Sequence, residues 1–233
     1  TLASTGNVIL ATQGTAGHVT IDNTTTALGV QGTVAGNLDL RSGEVITDSA
    51  ALAVTGTTTL TTDVNDKAIT FGTLASTGNV ILATQGTAGH ATLVNAAGLA
   101  LQGTVSGNLS GTATTGDISD SGALTVTGTS AFITGVTGSN IILDHASNAF
   151  TGHVSLTADD GTENFGNITF VDDSAVKLDA NADAGGDLFI DAGTNGAVGG
   201  NLAVTATTGN ITQDGALVLA VTGTSTLTTA ATD

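Results

Sequence analysis

Residues 1–18, TLASTGNVILATQGTAGH, recur without change at residues 73–90. An exact internal copy of this length is typical of repeat proteins, in which successive units stack and share one core. Fainter similarities continue the pattern, since GNL recurs at 36–38, 107–109 and 200–202, and VTGT at 54–57, 126–129 and 221–224. The chain is therefore interpreted as three repeats, about 1–72, 73–170 and 171–233.

The motif spacing predicts a smaller unit, a coil about one third as long as the first repeat. The VTGT motifs begin at positions 54, 126 and 221, so their spacings are 72 and 95, and the difference of 23 is interpreted as one extra coil in the middle repeat. Ile21, Val45 and Ile69 follow one another at a spacing of 24 and are expected to form an inward-facing apolar ladder. On this count the chain makes about 10 coils, each a 24-residue unit.

The composition favours short strands joined by tight turns. Hydrophobic residues make up 40% of the chain, aromatic residues only 3%, Gly numbers 33 and Pro is absent. Thr, Val and Ile favour extended backbone, whereas the frequent Gly-Asn and Gly-Asp pairs favour turns. We expect one continuous all-β unit over residues 1–233, a parallel β-helix or β-solenoid with three short strands per coil. The alternative is an array of 72-residue β-sandwich domains, which would not readily accept an insertion of one third of their own length.

The repeats resemble a known family of surface proteins. The stretches that carry the resemblance are residues 200–213, GNLAVTATTGNITQ, followed by GAL at 215–217 and VTGTST at 221–226. They are similar to the repeats of very large bacterial secreted proteins, the filamentous-haemagglutinin-like exoproteins and related β-strand-repeat adhesins. The resemblance covers nearly the whole chain and implies a right-handed β-helical shaft, export and a surface role. The secretion domain of that family has no counterpart in this sequence.

Charge and residue types narrow the classes of function. Three basic residues against 20 acidic ones give a net charge of −17, a field that repels nucleic acid and anionic membranes. The sequence contains no apolar run of about 18 residues, so no membrane span is predicted. Arg41, Lys67 and Lys177 are scattered singly, and neither Trp nor Tyr is present to stack on a sugar. The sequence therefore predicts no enzyme and no catalytic residue.

Two groups of side chains could bind a metal. Three of the four histidines follow Gly and precede a predicted strand, so they are interpreted as corner residues rather than ligands; the four are His18, His90, His145 and His153. The second group is an acidic stretch, which is expected to be a solvated face or, as the alternative, a loop site for Ca²⁺. Its members are Asp159, Asp160, Glu163, Asp172, Asp173, Asp179, Asp183, Asp187 and Asp191. Its spacing matches no familiar calcium loop, so the predicted set of metal and cofactor residues is empty.

The predicted function is structural. We expect a secreted, cell-surface rod that serves as a fibre or adhesin shaft, with a cell-surface or matrix ligand as a possible partner. The alternative is a module that binds ice, glycan or Ca²⁺, and the Thr-rich tracts at 57–62 and 224–229 would supply the ice-binding array if outward Thr side chains stack in consecutive coils. The chain is interpreted as an excerpt of a longer protein, and its two ends are expected to associate head to tail or to continue into neighbouring repeats.

Overall fold

The chain alternates between two parallel sheets. The computed structural model describes residues 2–158, 166–179, 187–191, 197–213 and 219–230, and every helix or strand assigned within these ranges is a β-strand. The strands of the first sheet, in chain order, are β1 (Val8–Ala11), β3 (Leu28–Val34), β5 (Ile46–Val54), β7 (Ile69–Ser76), β9 (Ala91–Asn95), β11 (Leu109–Ala113), β13 (Ser130–Thr134), β16 (Val154–Ala158), β18 (Val176–Asp179), β19 (Asp187–Asp191) and β22 (Ile211–Gln213).

The remaining strands form the second sheet and one short pair. The second sheet contains β2 (Val19–Asn23), β4 (Leu38–Ser42), β6 (Thr58–Thr62), β8 (Val80–Ala83), β10 (Leu99–Val105), β12 (Ile118–Val126), β14 (Ile141–Leu143), β15 (Ala149–Phe150), β17 (Ile168–Asp172), β21 (Leu202–Ala206) and β24 (Ser225–Thr229). The short pair is β20 (Ala197–Val198) with β23 (Ala220–Val221).

From β1 to β14 the strands alternate between the two sheets, so each of these turns contributes one strand to each sheet, and all described strand pairs are parallel. In the second sheet, for example, Leu38 lies opposite Thr58, which in turn lies opposite Val80 one turn further on. The predicted parallel β-solenoid is thereby confirmed, with about 9 turns of about 22 residues instead of 10 coils of 24. Among the described residues there is no helix capable of spanning a membrane.

A turn has two strands where three short ones were expected, and two of the strands, β3 and β10, contain a glycine with a positive φ. Gly32 in β3 and Gly103 in β10 have φ of +114° and +112°, a region that L side chains rarely adopt. The register of β3 against β5 and of β10 against β12 shifts at these same positions. A Cβ atom at either glycine would lie 2.1 Å from a carbonyl oxygen of the preceding turn, that of Leu10 or Leu82.

Strand alternation builds one hydrophobic column along the axis. Most strands bury every second side chain, and the buried residues form a single cluster that runs from Leu10 to Ala206. In the first sheet one file of this column contains Leu28, Ile46 and Ile69 in direct register. Similar apolar side chains lie at the same position in successive turns. They therefore pack on one another directly, and the core needs few aromatic residues.

The expected ladder of Ile21, Val45 and Ile69 is wrong. Ile21 lies in the second sheet and Ile69 in the first, while Val45 is half-buried at the corner just before β5. The inward neighbour of Ile69 is Ile46, one residue further along. The turns between positions 8 and 76 differ in length, so residues at a constant spacing of 24 do not lie at the same position in successive turns.

The 72-residue repeat corresponds to three and a half turns, not to three. The identical segments VILA form β1 in the first sheet and β8 in the second, seven strands apart. Since each turn supplies two strands, seven strands move the sequence to the opposite side of the solenoid. The same sequence therefore occupies opposite faces in successive repeats.

The extra length of the middle repeat does not form a full coil. The strands that begin at the Leu of each GNL motif are β4, β11 and β21. β11 lies in the first sheet and the other two lie in the second, so each repeat moves the motif to the opposite sheet. The first sheet gains a strand, because β19 lies between β16 and β18, but the second sheet runs from β17 directly to β21. Part of the insertion is therefore an additional strand on one side only.

Candidate functional site

Side-chain acceptors line the corner that leads from the first sheet into the second. The backbone N–H of Asn140 donates to Asp117 Oδ1 at 2.7 Å, and Asn167 donates in the same way to Asn140 Oδ1 at 2.8 Å. The ladder continues upward through Asn201 and Thr224, again at 2.8 Å. The Gly-Asn pairs thus mark corners, as the sequence predicts, and their amide oxygens also join one turn to the next.

His18 and His90 belong to equivalent corner ladders. Each accepts a 2.8 Å hydrogen bond at Nδ1 from a backbone N–H of the next turn, donated by Asn37 and Asn108 respectively. The two histidines hold the same position in successive copies of the repeat and therefore occupy opposite corners, before β2 and before β9. Their interpretation as corner residues is confirmed.

The other two histidines lie in different surroundings. His145 is in the turn between β14 and β15, where its Nδ1 accepts from the backbone N–H of Ser147 at 3.1 Å. His153 is buried just before β16, and its carbonyl accepts from Ser130 N–H at 2.7 Å. Within the described part of the chain, no three His, Asp or Glu side chains come together in a group that could hold a metal ion.

Buried amides form a second set of bonds inside the solenoid. Asn95 accepts from Ser76 N–H at 2.8 Å and donates to the Ser76 carbonyl at 2.9 Å, so it completes the hydrogen bonding of the turn below. Asn23 has the matching contacts to Ser4, and Asn148 accepts from Leu124 N–H. These residues were not predicted, although an Asn at the end of an alternating strand, in VTIDN at 19–23 and ATLVN at 91–95, was the available signal.

Asp172 occupies the same kind of buried position at the end of β17. Its carboxylate accepts from the backbone N–H groups of Phe150 and Asp173 and from the hydroxyl of Ser174. Burial raises the pKa of Asp172, and these three hydrogen bonds oppose the rise. Asp172 therefore has a structural role inside the turn, while Asp173 is exposed.

Four of the nine residues of the acidic stretch fall outside the described residues. Asp159, Asp160, Glu163 and Asp183 lie there, and for Asp179, Asp187 and Asp191 the structure describes only the backbone of their strands. The suggested Ca²⁺ site in this stretch remains a prediction.

Two of the three basic residues pair with acids of the neighbouring turn. Arg41 Nε lies 2.6 Å from Asp63 Oδ2, and Lys67 Nζ lies 2.6 Å from Glu44 Oε2. Both pairs are partly exposed and are worth little in stability. Two of the basic side chains are thus paired with carboxylates of the chain itself.

The Thr tract at 57–62 does not present a Thr array. In β6 the side chains of Thr58 and Thr62 point inward and are buried, which leaves only Thr59 and Thr61 facing outward. In the adjacent turns Thr59 lies between Asp39 and Ile81, and Thr61 lies between Arg41 and Ala83. No outward Thr of this strand has a Thr directly above or below it.

The first and last described strands, β1 and β24, pair with β3 and β21 respectively. The first described turn contains residues 2–4 and β1; within the described residues β1 pairs with β3, and the backbone N–H of Leu2 donates to the carbonyl of Asp22. The last described turn contains residues 219–221 and β24; within the described residues β23 pairs with β20, and β24 pairs with β21. Leu227 is 53% exposed and Leu2 is 38% exposed, whereas their counterparts in inner turns, Leu60 and Leu74, are 0% and 1% exposed.

Comparison with known proteins identifies the repeats. The model of one family, described as repeats of unknown function (DUF5649), matches residues 16–87, 88–157 and 165–233. No curated protein and no solved structure matches the chain.

Proposed function

Because this chain belongs to the DUF5649 family of repeats, three of which fill most of its length, we propose that it is a structural rod, a segment of a fibre or adhesin shaft. The observation that carries the proposal is the unbroken hydrophobic column that runs through the stacked turns. A solenoid of about 9 turns rises about 4.8 Å per turn, which makes a rod roughly 43 Å long. Each repeat added to such a chain lengthens the rod without needing a new interface.

The polar groups support a structural role rather than a chemical one. The histidines at corners, the buried amides and two of the basic residues all bond to the neighbouring turn. Such bonds fix the register of one turn on the next, which a mechanical or spacing element requires. On this basis we also propose that the segment itself is not catalytic.

We further propose that the rod is exported and displayed at the cell surface, where it would carry a ligand-binding element away from the cell. The net charge of −17 favours a well-solvated surface with little attraction for nucleic acid or anionic lipid. The resemblance to β-strand-repeat adhesins supports the same location.

Protease shaving and immunogold labelling of intact producing cells test this proposal. We expect antibodies against residues 1–233 to label the outside of unpermeabilised cells, and external protease to remove the label. An internal, protease-protected protein would contradict the surface role. A cytoplasmic protein of known location in the same cells serves as the control for lysis.

A further inference from the structure

We propose that a hollow beside Gly98 binds a neutral saccharide through its hydroxyl groups. The hollow lies at the corner that leads from the first sheet into the second and has a volume of about 320 Å³. This volume is at the lower end of the range of small-molecule sites. The residues that line it include Thr77, Gly78, Ala97, Gly98, Asp117 and Ser119. The site adds a binding function to the rod and does not depend on the proposed shaft role.

The hollow opens where the corner ladder of hydrogen bonds is interrupted. Below it, the backbone N–H of Thr57 donates to Asn37 Oδ1 at 3.0 Å, and above it the N–H of Asn140 donates to Asp117 Oδ1 at 2.7 Å. The corner position between these levels, just before β10, is Gly98. Within the described residues the backbone N–H groups of Gly98 and Asp117 donate no hydrogen bond. Two donors in adjacent turns are therefore available to an oxygen of a ligand.

The backbone itself excludes the side chain that would close this gap. A Cβ atom at Gly98 would lie 3.5 Å from the backbone nitrogen of Asp117, so a polar side chain at position 98 could reach that N–H group. The same Cβ atom would lie 2.9 Å from the carbonyl oxygen of Asp117, closer than Cβ atoms approach a backbone oxygen. The acceptor for the Asp117 N–H group therefore comes from water or from a ligand.

The acceptors of the hollow complement these donors. Asp117 Oδ1 accepts from the backbone N–H and from Nδ2 of Asn140, at 2.7 and 3.2 Å. In the part of the chain that the structure describes, Asp117 Oδ2 accepts no hydrogen bond and the hydroxyl of Ser119 forms none. Two neighbouring hydroxyl groups of a sugar match this arrangement, because one accepts from the Asp117 N–H group while the other donates to the carboxylate.

Charge favours a neutral ligand over an ion. The carboxylate of Asp117 and the net charge of −17 repel the anions that backbone N–H groups would otherwise attract. A cation would meet one carboxylate only, since no three His, Asp or Glu side chains come together among the described residues. The lining contains no aromatic ring on which a sugar could stack, and Ala97 and Ala100 supply its apolar part. We therefore expect a dissociation constant in the millimolar range.

The first repeat provides an internal control. Its segments LGVQGTV at 28–34 and ITDSAALAV at 46–54 correspond to LALQGTV at 99–105 and ISDSGALTV at 118–126. Ala27 and Val45 precede these segments and hold the positions of Gly98 and Asp117. A methyl group thus replaces the glycine and the carboxylate is absent, so the first repeat should not bind the ligand.

NMR titration of the full chain, residues 1–233, with glucose and with mannose tests the site. The amide signals of Gly98 and Asp117 are expected to shift and to saturate at millimolar sugar concentrations, while those of Ala27 and Val45 stay in place. Acetamide is titrated in parallel, because a site for an amide group alone would bind it as well as it binds a sugar.

Three substitutions assign the binding to the hollow. Asp117→Asn keeps an oxygen for Asn140 but removes the charged acceptor, so it should raise the dissociation constant about tenfold. Ala100→Leu fills the hollow and should abolish binding. Ala131→Leu is the matched control, because Ala131 also faces outward but lies in β13 of the first sheet, and it should bind like the parent. The same spectra show whether each variant is folded, and if Ala100→Leu is not, Asp117→Asn still tests the site.

Shifts that grow linearly without saturation, or that are equal in the first repeat, would overturn the proposal. An unchanged dissociation constant in Asp117→Asn would do the same. Saturable binding of acetamide without binding of either sugar would overturn the assignment to saccharides. None of these outcomes affects the proposed shaft function, which the labelling of intact cells tests separately.

Discussion

Replacing Gly103 by Ala should destabilise the middle of the solenoid by about 3–5 kcal/mol. Gly103 has a φ of +112°, and a Cβ atom there would lie 2.1 Å from the carbonyl oxygen of Leu82. Holding an Ala in such a conformation costs about 1–3 kcal/mol. The contact is far shorter than van der Waals separation and involves backbone, so β8 and β10 must separate. Weakening about two hydrogen bonds between the strands adds about 2 kcal/mol.

Urea unfolding followed by circular dichroism measures this cost. Hydrogen exchange of the amides in β8 and β10 should show that the loss is local, since each turn of a solenoid contacts only its neighbours. Gly72→Ala is the matched control, because Gly72 also lies in a strand but has no positive φ and no atom within 4 Å of the position that a Cβ would occupy. It should be neutral or slightly stabilising, since Ala restricts the unfolded chain.

The equivalent substitution one repeat earlier separates the cost of the positive φ from the cost of moving the two strands apart. Gly32 has a φ of +114° and the same 2.1 Å approach to a carbonyl, that of Leu10. Among the described residues β1 pairs with β3 alone, whereas β8 pairs with both β6 and β10, so Gly32→Ala should cost less than Gly103→Ala. The explanation by close approach is wrong if the free energy of unfolding of Gly103→Ala lies within about 0.5 kcal/mol of that of the parent. It is also wrong if Gly72→Ala lowers this free energy by the same amount as Gly103→Ala.

Three further substitutions test the interior. Ile46→Asp buries a lone carboxylate and should cost several kcal/mol, whereas Val45→Asp at the half-buried corner should cost much less; equal melting temperatures would contradict the assigned phase. Asn95→Ala leaves a backbone N–H and a carbonyl of the turn below without their partner and should cost about 2–4 kcal/mol in a urea titration; an unchanged midpoint would contradict this role. The folded-state pKa of Asp172 is raised by burial, so ionisation costs stability as pH rises through that value, and no cost exists below its unfolded pKa of about 4. Asp172→Asn should therefore raise the melting temperature at pH 7 but not at pH 3, and an equal gain at both would refute the electrostatic cause.

The sequence by itself determined the class of fold and the places where the chain turns. The exact repeat predicts stacked units, and Thr, Val and Gly at short intervals predict strands joined by turns. Strand alternation and turn chemistry are local properties, which is why the corner roles of His18 and His90 could be inferred without coordinates.

Only the tertiary structure decided the phase of the turns. The length of the sequence repeat is compatible with several whole or half numbers of turns, because the length of a turn depends on how one strand pairs with the next. The close approach of Gly103 to the backbone of Leu82 and the buried amide of Asn95 both act between turns, so a linear pattern does not contain their effect.

The variable length of the turns also explains why Val45 was wrongly assigned to the inward ladder and why the extra length of the middle repeat was wrongly interpreted as a full coil. A constant spacing assumes that every turn is equal. In the first sheet, however, Leu28 lies opposite Ile46 and Ile46 lies opposite Ile69, so the second step along the chain is longer than the first. Long-range backbone pairing sets these lengths, and it places copies of one sequence on opposite sides of the rod. The sequence therefore determines that the chain stacks, while the pairing between turns determines which face each residue presents.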